Sequence, residues 1–188
     1  MLIARRYRSN SLKLHLSAFC GALLWAAAGL GTAVHAEDGV DLVSESALDL
    51  RPEDASDACR ADIPQIRVTV NGVYAEGLLT VEVYDDNSKA FLSREGRLRR
   101  TRNAAQDGSQ TVCMNVTGAG TYAVALYHDI DGNRKLARKW NFLPKEPFGL
   151  SNNPKLKLRK PRHREAAFEA GPLGADVTVN LRGAKPDA

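Results

Sequence analysis

The sequence lacks the residue patterns on which most catalytic sites are built. Its 188 residues include three cysteines and four histidines but no Cys-x-x-Cys pair, which argues against a thioredoxin-like redox centre. No Gly-x-Ser-x-Gly segment is present, so the nucleophile elbow of α/β-hydrolases is excluded. The histidines beyond residue 36, His128 and His163, stand in unlike surroundings and form no zinc-ligand pattern. We therefore expect a protein that is not an enzyme, because no residues with named catalytic roles can be assembled; an enzyme of unrecognised type is the alternative.

Long apolar runs are also missing, except near the N-terminus. A basic start is followed by an uncharged run over residues 14–34, rich in Leu, Ala and Gly, which ends in Val34-His35-Ala36. This order, with small residues one and three positions before the cut, is typical of a secretory signal peptide. We expect residues 1–36 to be a signal peptide, and the remainder to be periplasmic or secreted with no transmembrane segment. The run approaches the roughly 18–20 residues that span a bilayer, so an uncleaved anchor is the alternative.

A charge excess of one sign is absent from the part that would be exported. The formal charge of +4 equals the four basic residues of the leader, so the rest of the chain is neutral. Its charges are unevenly distributed, because residues 37–64 hold nine acids and two bases and the chain from Gln65 onward holds thirteen acids and twenty bases. We interpret residues 37–64 as an acidic flexible arm, and we expect no nucleic-acid binding from this balance.

Two cysteines are left once the leader is removed. Cys20 lies inside the apolar run, whereas Cys59 and Cys113 lie beyond it. An even number of cysteines in an oxidising compartment predicts a disulfide bond between them. Two free buried thiols are the alternative.

Helical periodicity is lacking beyond the leader, and patterns of period two take its place. Alternating apolar residues predict strands over residues 66–70, 79–84, 111–116, 120–127 and 176–182. The polar stretch over residues 97–102 is interpreted as an edge strand. Short strands separated by Gly, Asn and Pro turns indicate an all-β fold, a single antiparallel β-sandwich over residues 65–182 followed by a tail, residues 183–188. We expect this domain to be a monomer.

Three motifs in a fixed order resemble a known bacterial family. They are Gly120-Thr121-Tyr122-Ala123-Val124, His128-Asp129-Ile130-Asp131-Gly132-Asn133, and the Pro-Lys-Glu-Pro-Phe-Gly-Leu-Ser-Asn-Asn segment over residues 144–153. Together they resemble the signature of the exported family called domain of unknown function 2141, over about residues 65–182. The resemblance implies an immunoglobulin-like or transthyretin-like sandwich. It implies no particular activity.

One loop has the composition of a calcium-binding turn. Asp129, Asp131 and Asn133 offer oxygen ligands at alternate positions around Gly132, as calcium loops do. Arg134 and Lys135 follow directly, although a calcium loop tolerates nearby cations poorly. The alternative is a tight turn in which the Asp and Asn side chains accept hydrogen bonds from backbone N–H groups. We expect no obligatory cofactor, with calcium as the candidate ion.

A basic stretch follows the same loop. Residues 134–164 contain eleven bases and one acid, with three aromatic residues interleaved. Cationic segments of this kind suit anionic membrane surfaces, so we expect the loop 129–164 to recognise an envelope partner, either a protein or an anionic lipid or glycan. The alternative is a solvated face whose charge is met by the acidic arm. The candidate binding residues are Lys139, Trp140, Lys155, Lys157, Arg159, Lys160, Arg162 and Arg164.

Overall fold

Eight strands form two sheets that share an apolar interior, in a computed structural model that describes residues 48–136, 138, 144–155, 157 and 159–183. In chain order the elements are β1 (Gln65–Val73), β2 (Leu78–Tyr84), β3 (Arg97–Ala104), β4 (Gly108–Asn115), β5 (Gly120–Asp129), β6 (Phe148–Leu150), the short helix α1 (His163–Ala166), β7 (Ala167–Ala170) and β8 (Gly174–Asn180). The first sheet has the order β4-β1-β8, and the second has the order β3-β2-β5-β6, with β7 also paired to β5. The predicted all-β sandwich is confirmed.

The pairing within these sheets is antiparallel with one exception. β8 runs parallel to β1, with Gln65 opposite Gly174 and Asn71 opposite Asn180. At the start of this pair Gly174 adopts φ +89°, and a Cβ placed there would lie 1.7 Å from the Gln65 carbonyl oxygen. Only glycine therefore allows β8 to begin beside Gln65.

The alternation of each strand sends its apolar side chains into one interior between the sheets. Ile66, Val68 and Val70 of β1 are fully buried there, and their neighbours Arg67 and Thr69 face outward because successive side chains point to opposite faces. The same core holds apolar residues from every sheet strand except β3 and β6, namely Leu79, Val81, Val83, Val112, Met114, Tyr122, Val124, Leu126, Ala170 and Val179.

The second sheet is also covered on part of its outer face. β5 is buried along both faces over most of its length, and a second cluster of Tyr84, Phe91, Ala123, Ala125, Leu150 and Ala166 forms on the side away from the first sheet. Phe91 packs edge-on against Tyr84, at 5.2 Å, and against His163, at 5.4 Å. The segments after β2 and before α1 thus cover one end of this face, and among the described residues the other end borders a cleft.

A turn after β6 ties the two sheets together. The Ser151 hydroxyl accepts a hydrogen bond from the backbone N–H of Val124 in β5 at 2.9 Å. The Asn153 amide donates to the carbonyl of Thr178 at 2.9 Å, and its oxygen accepts from the N–H of Asn180 at 2.8 Å, both in β8. These contacts fix the short strand β6 between a sheet partner and the opposite sheet.

The disulfide bond joins the segment before β1 to β4. Cys59 and Cys113 are bonded, as predicted, and they close a loop with a sequence separation of 54. In a chain-entropy model a loop of this length removes about 4 kcal/mol of unfolded-state entropy. The buried Gln65 side chain supports the same corner, because its amide donates to the Ala58 carbonyl and to Asn115 Oδ1, each at 2.8 Å.

The described end of the acidic arm, residues 48–64, contacts the second sheet through its carboxylates. Asp54 is 5% exposed and lies in a 3₁₀ turn over Pro52–Asp54. It accepts hydrogen bonds from Arg102 of β3, at 2.8 Å, and from Arg134. Asp57 accepts from Arg99 at 3.1 Å. The acids of this segment therefore meet arginines of β3 and of the Asp129 loop.

The Asp54 contacts predict a strong dependence of stability on one carboxylate. We expect Asp54→Asn to lower the free energy of unfolding by about 3 kcal/mol or more, because it leaves the nearly buried Arg102 cation without its anion. Asp62→Asn is the matched control, since Asp62 pairs with Arg60 at the exposed surface, where solvent screening leaves an ion pair little effect on stability. Urea unfolding followed by circular dichroism measures both. Equal effects of the two substitutions would contradict this account of the arm.

Candidate functional site

The open part of the outer face of the second sheet changes from charged to apolar across its strands. Arg100 of β3 is opposite Glu82 of β2, Glu82 is opposite Ala125 of β5, and Ala125 is opposite Leu150 of β6. Residues paired in this way lie side by side on one face of a sheet. The row therefore begins with a cation and ends with an aliphatic side chain.

A cleft of about 670 Å³ lies over this row. Its apolar lining comes from the sheet and from the segments on either side of it, namely Tyr84, Leu92, Ala125, Leu126, Tyr127, Leu136, Pro144, Phe148, Leu150 and Pro161. Six basic residues, Arg97, Arg100, Arg138, Lys157, Arg159 and Lys160, and one acid, Glu82, also line it. Small-molecule sites occupy about 300–1,000 Å³, so the cleft has the size of such a site.

The single acid of the cleft is already engaged by its neighbours. Glu82 accepts a hydrogen bond from Arg97 at 2.5 Å and another from the Tyr84 hydroxyl at 2.6 Å. Burial, with the adjacent Glu82 charge, raises the pKa of Tyr84, so this hydroxyl remains a hydrogen-bond donor at neutral pH. Glu82 thus neutralises Arg97 and has little capacity left for the other cations.

Arg100 is the cation of the cleft that its surroundings satisfy least. Its Nε is buried, and no residue in the described part of the chain accepts a hydrogen bond from it. The nearest carboxylate oxygen, Oδ1 of Asp54, is 4.0 Å away, beyond hydrogen-bond distance. Burial lowers the pKa of the Arg100 guanidinium, and the positive charges of Arg102 and Arg97 lower it further.

The rim of the cleft carries three of the predicted anion-binding residues. Lys157 and Arg159 both contact Glu165, Lys157 at 3.3 Å and Arg159 at 2.6 and 2.8 Å. The hydrogen bond from Arg159 holds the pKa of Glu165 well below its usual range. Lys160 donates to the Phe91 carbonyl at 2.9 Å. Two cations therefore share one carboxylate at this rim, and the third contacts a backbone carbonyl.

The other predicted anion-binding residues are distributed differently. Arg162 and Arg164 line a separate depression of about 450 Å³, which Lys160 also borders. Lys155 is exposed and lines neither space. Lys139 and Trp140 lie outside the described residues. The basic lining residues that the sequence analysis missed are Arg97, Arg100 and Arg138. Regular alternation would place Arg97 and Arg100, three positions apart, on opposite faces of the strand. An irregularity in the pairing of β2 with β3 at Tyr84 brings both of them to the cleft.

The predicted calcium loop uses its oxygens on its own backbone. Both Asp129 and Asp131 accept from the backbone N–H of Asn133, each at 3.1 Å, and Asp129 also accepts from that of Arg134 at 2.6 Å. The Asn133 side-chain oxygen accepts from the N–H of Lys135 at 2.8 Å. These are the contacts of a tight turn stabilised by Asp and Asn side chains.

A third carboxylate approaches this turn from a different segment. Oxygens of Asp129, Asp131 and Glu146 all lie within 4.8 Å of one another, and Asp129 and Glu146 are buried. Burial, followed by the proximity of Asp131, raises the pKa of Asp129 to about 6. Sequence spacing pointed to Asn133 as the third ligand, whereas the structure brings Glu146 to the two aspartates.

The two histidines of the domain are engaged with backbone carbonyls. His128 Nε2 lies 2.6 Å from the Glu76 carbonyl oxygen, and its ring stacks on Tyr74. His163 Nε2 lies 2.8 Å from the Asp85 carbonyl oxygen. Each histidine therefore holds a neighbouring segment in place.

Comparison with known proteins gives one match. The family model described as an uncharacterized protein conserved in bacteria (DUF2141) matches residues 68–178, which is more than half of the chain and includes β2 to β7, most of β1 and part of β8. No curated protein and no solved structure matches. Within the described residues, none of the helices is both long enough and apolar enough to cross a membrane.

The raised pKa of Asp129 predicts a distinctive pH dependence. Between the unfolded value near 3.8 and the folded value near 6, the folded protein keeps a proton that the unfolded chain has lost. The stability that this proton contributes is complete below pH 4 and is lost as the pH rises through 6. We expect the melting temperature of the wild type, relative to Asp129→Asn, to fall between pH 4 and pH 7.

Asp176 should give stability the opposite dependence on pH. The hydrogen bond from Arg67 lowers the pKa of Asp176, so its contribution is present above pH 4 and is lost as the pH falls further. Relative to Asp176→Asn, the wild type should therefore gain stability as the pH rises from 2 to 5. Calorimetric melting of the three proteins from pH 2 to pH 7 measures both trends, and parallel curves for Asp129→Asn and wild type would refute the first.

Proposed function

This chain belongs to the bacterial protein family DUF2141, and we propose that it is an exported binding module of the cell envelope that recognises an anionic envelope component through the cleft on its second sheet. Export is supported by the signal-peptide pattern of residues 1–36. Recognition of an anion is supported by the composition of the cleft, in which six basic residues face one acid.

The observation that carries this proposal is the excess of basic over acidic side chains in the lining of the cleft. Among the described residues, Glu82 accepts a hydrogen bond from Arg97, and Glu165 accepts hydrogen bonds from Lys157 and Arg159. Asp54 hydrogen-bonds to Arg102 and Arg134. A concentration of like charge in a concave, partly apolar space attracts anions more strongly than the same charge on a flat surface, because the low-dielectric walls focus the field.

The alternative of a solvated face neutralised by the arm has less support. Two acids of the arm contact arginines of β3 that lie away from the rim: Asp54 accepts from Arg102, and Asp57 accepts from Arg99. In the described part of the arm, no carboxylate forms an ion pair with residues of the 155–164 segment. The positive charge of the rim therefore remains available to a partner.

A lipid is a better candidate than a glycan or a protein for this partner. The floor of the cleft offers the side chains of Ala125, Leu150 and Phe148, which have no polar atoms to meet sugar hydroxyls. The cleft is a concave space of about 670 Å³, which is the size of a small-molecule site, whereas a folded protein is recognised over a broad surface.

Vesicle binding tests the proposal. We expect the mature protein to sediment with vesicles containing anionic phosphatidylglycerol and not with neutral phosphatidylcholine vesicles. The double variant Arg159→Ser/Lys160→Ser should bind about tenfold more weakly or worse, since each basic residue near an anionic membrane contributes about 1 kcal/mol. High salt should weaken binding for the same reason.

A matched double variant serves as the control. Arg60→Ser/Arg67→Ser removes the same charge from two arginines that also form ion pairs, with Asp62 and Asp176, and that lie by the first sheet. It should bind anionic vesicles as the wild type does. Equal losses in both variants would mean that only net charge matters, and the cleft would then have no role in recognition.

A calcium-stabilised structural module is the second candidate, favoured by the approach of Glu146 to Asp129 and Asp131. Three carboxylates within reach of one another repel unless a proton or a cation lies between them. Calcium takes six to eight oxygen ligands, so backbone carbonyls or water would complete the set. This function would concern stability and would leave the cleft unaffected.

Thermal melting with calcium tests this second candidate. At a concentration tenfold above its Kd, calcium should stabilise the fold by about 1.4 kcal/mol, because it binds only the folded state. Asp131→Asn should abolish the rise in melting temperature that calcium causes, whereas Asp176→Asn, on the first sheet, should retain this rise. Equal melting temperatures in calcium and in chelator, for wild type, would reject a calcium site.

A further inference from the structure

The Arg100 guanidinium has a buried N–H donor for which the described part of the domain supplies no acceptor. Its buried Nε has no hydrogen-bond partner among the described residues. The two oxygens of Asp54 are taken by Arg102 and Arg134, which leaves Arg100 4.0 Å from Oδ1. A guanidinium donates through a planar fork that matches a carboxylate or a phosphate. An oxyanion that enters the cleft, which Arg100 lines, matches this fork.

The other end of the same floor requires an apolar ligand. Past Glu82, the row that starts at Arg100 continues to Ala125 and Leu150. In the next row Tyr127 is opposite Phe148, and Leu136 and Pro144 complete the apolar lining on one side. Because Ala125 is the smallest side chain of its row, the middle of the floor is low and leaves space for a chain of methylene groups, whose burial is favourable.

We propose that the cleft binds an anionic amphiphile with a single acyl chain, its headgroup at Arg100 and its chain lying over Ala125 towards Leu150 and Phe148. This assignment rests on the proposed function of the cleft and adds the chemical class and orientation of the ligand. The headgroup is a carboxylate or a phosphate, since both present the paired oxygens that the guanidinium fork needs. The rim residues Lys157, Arg159 and Lys160 then attract the ligand and the membrane that contains it.

Soluble amphiphiles below their critical micelle concentration test the proposal. Isothermal titration calorimetry of the mature protein with dodecanoate and with dodecyl phosphate should give saturable binding of one molecule per chain. Dodecyl maltoside, which has the same chain without charge, should bind at least tenfold more weakly. Acetate and inorganic phosphate, which have the charge without the chain, should bind at least a hundredfold more weakly. The ratio of dodecanoate to dodecyl phosphate affinity distinguishes the two headgroups.

Two substitutions separate the headgroup contact from the chain contact. Arg100→Gln should reduce the affinity for dodecanoate at least tenfold and leave the weak affinity for dodecyl maltoside unchanged. Leu136→Asp places a charge in the partly exposed apolar lining and should weaken the binding of both probes. The matched controls Arg67→Gln and Leu173→Asp, at the first sheet, should bind as the wild type does. Melting curves verify that each variant is folded.

The results that overturn the proposal differ from those that overturn the proposed function. Wild-type protein that binds anionic vesicles through Arg159 and Lys160 but does not bind monomeric dodecanoate or dodecyl phosphate would reject the amphiphile and leave surface recognition intact. Dodecanoate affinity that is equal in Arg100→Gln and wild type would likewise reject the proposed orientation. Absence of vesicle binding together with tight amphiphile binding would reject recognition of a membrane surface and support a carrier of free amphiphiles.

Discussion

Asp54 has two carboxylate oxygens, and three arginines of this domain lie close enough to compete for them. Arg102 and Arg134 each donate a hydrogen bond to one of these oxygens. These contacts attach the segment before β1 to the second sheet and to the Asp129 loop. Arg100, on the same face of β3 as Arg102, is left at 4.0 Å. The cost of burying the first two cations is offset by a shared anion, and the third cation remains for the cleft. One carboxylate thus sets both the anchoring of the arm and the charge of the candidate site.

Much of the fold could be read from the sequence because strands such as β1 bury one face and expose more of the other. Ile66, Val68 and Val70 alternate as a half-buried strand requires, and the arginine-rich stretch over residues 97–102 lies at a sheet edge as its polarity indicates. β6 was missed because three residues are too few for a periodic signal, and β7 because it follows directly on a helical turn. The parallel pairing of β1 with β8 was also missed, since alternation gives the face of a strand but neither its partner nor its direction.

The candidate site was harder to predict because it depends on which side chains the topology brings together. Lys157, Arg159 and Lys160 were expected to bind an anion from composition alone, and they do line the cleft. The floor residues Ala125 and Leu150 carry no chemical signal in the sequence. Glu146 meets Asp129 and Asp131 only because the chain returns beside β5, whereas sequence reasoning could compare only neighbours within one loop.

The parallel pairing of β1 with β8 has a mechanical consequence. The two strands start at the same end of the sheet, with Gln65 beside Gly174, and seven residue pairs join them. A force that pulls the start of β1 away from the end of β8 therefore runs along both strands in opposite directions, and it loads all of the connecting hydrogen bonds in shear. An antiparallel pair pulled from its free ends would open one bond after another. A domain closed by such a pair resists stretching between its first and last strands.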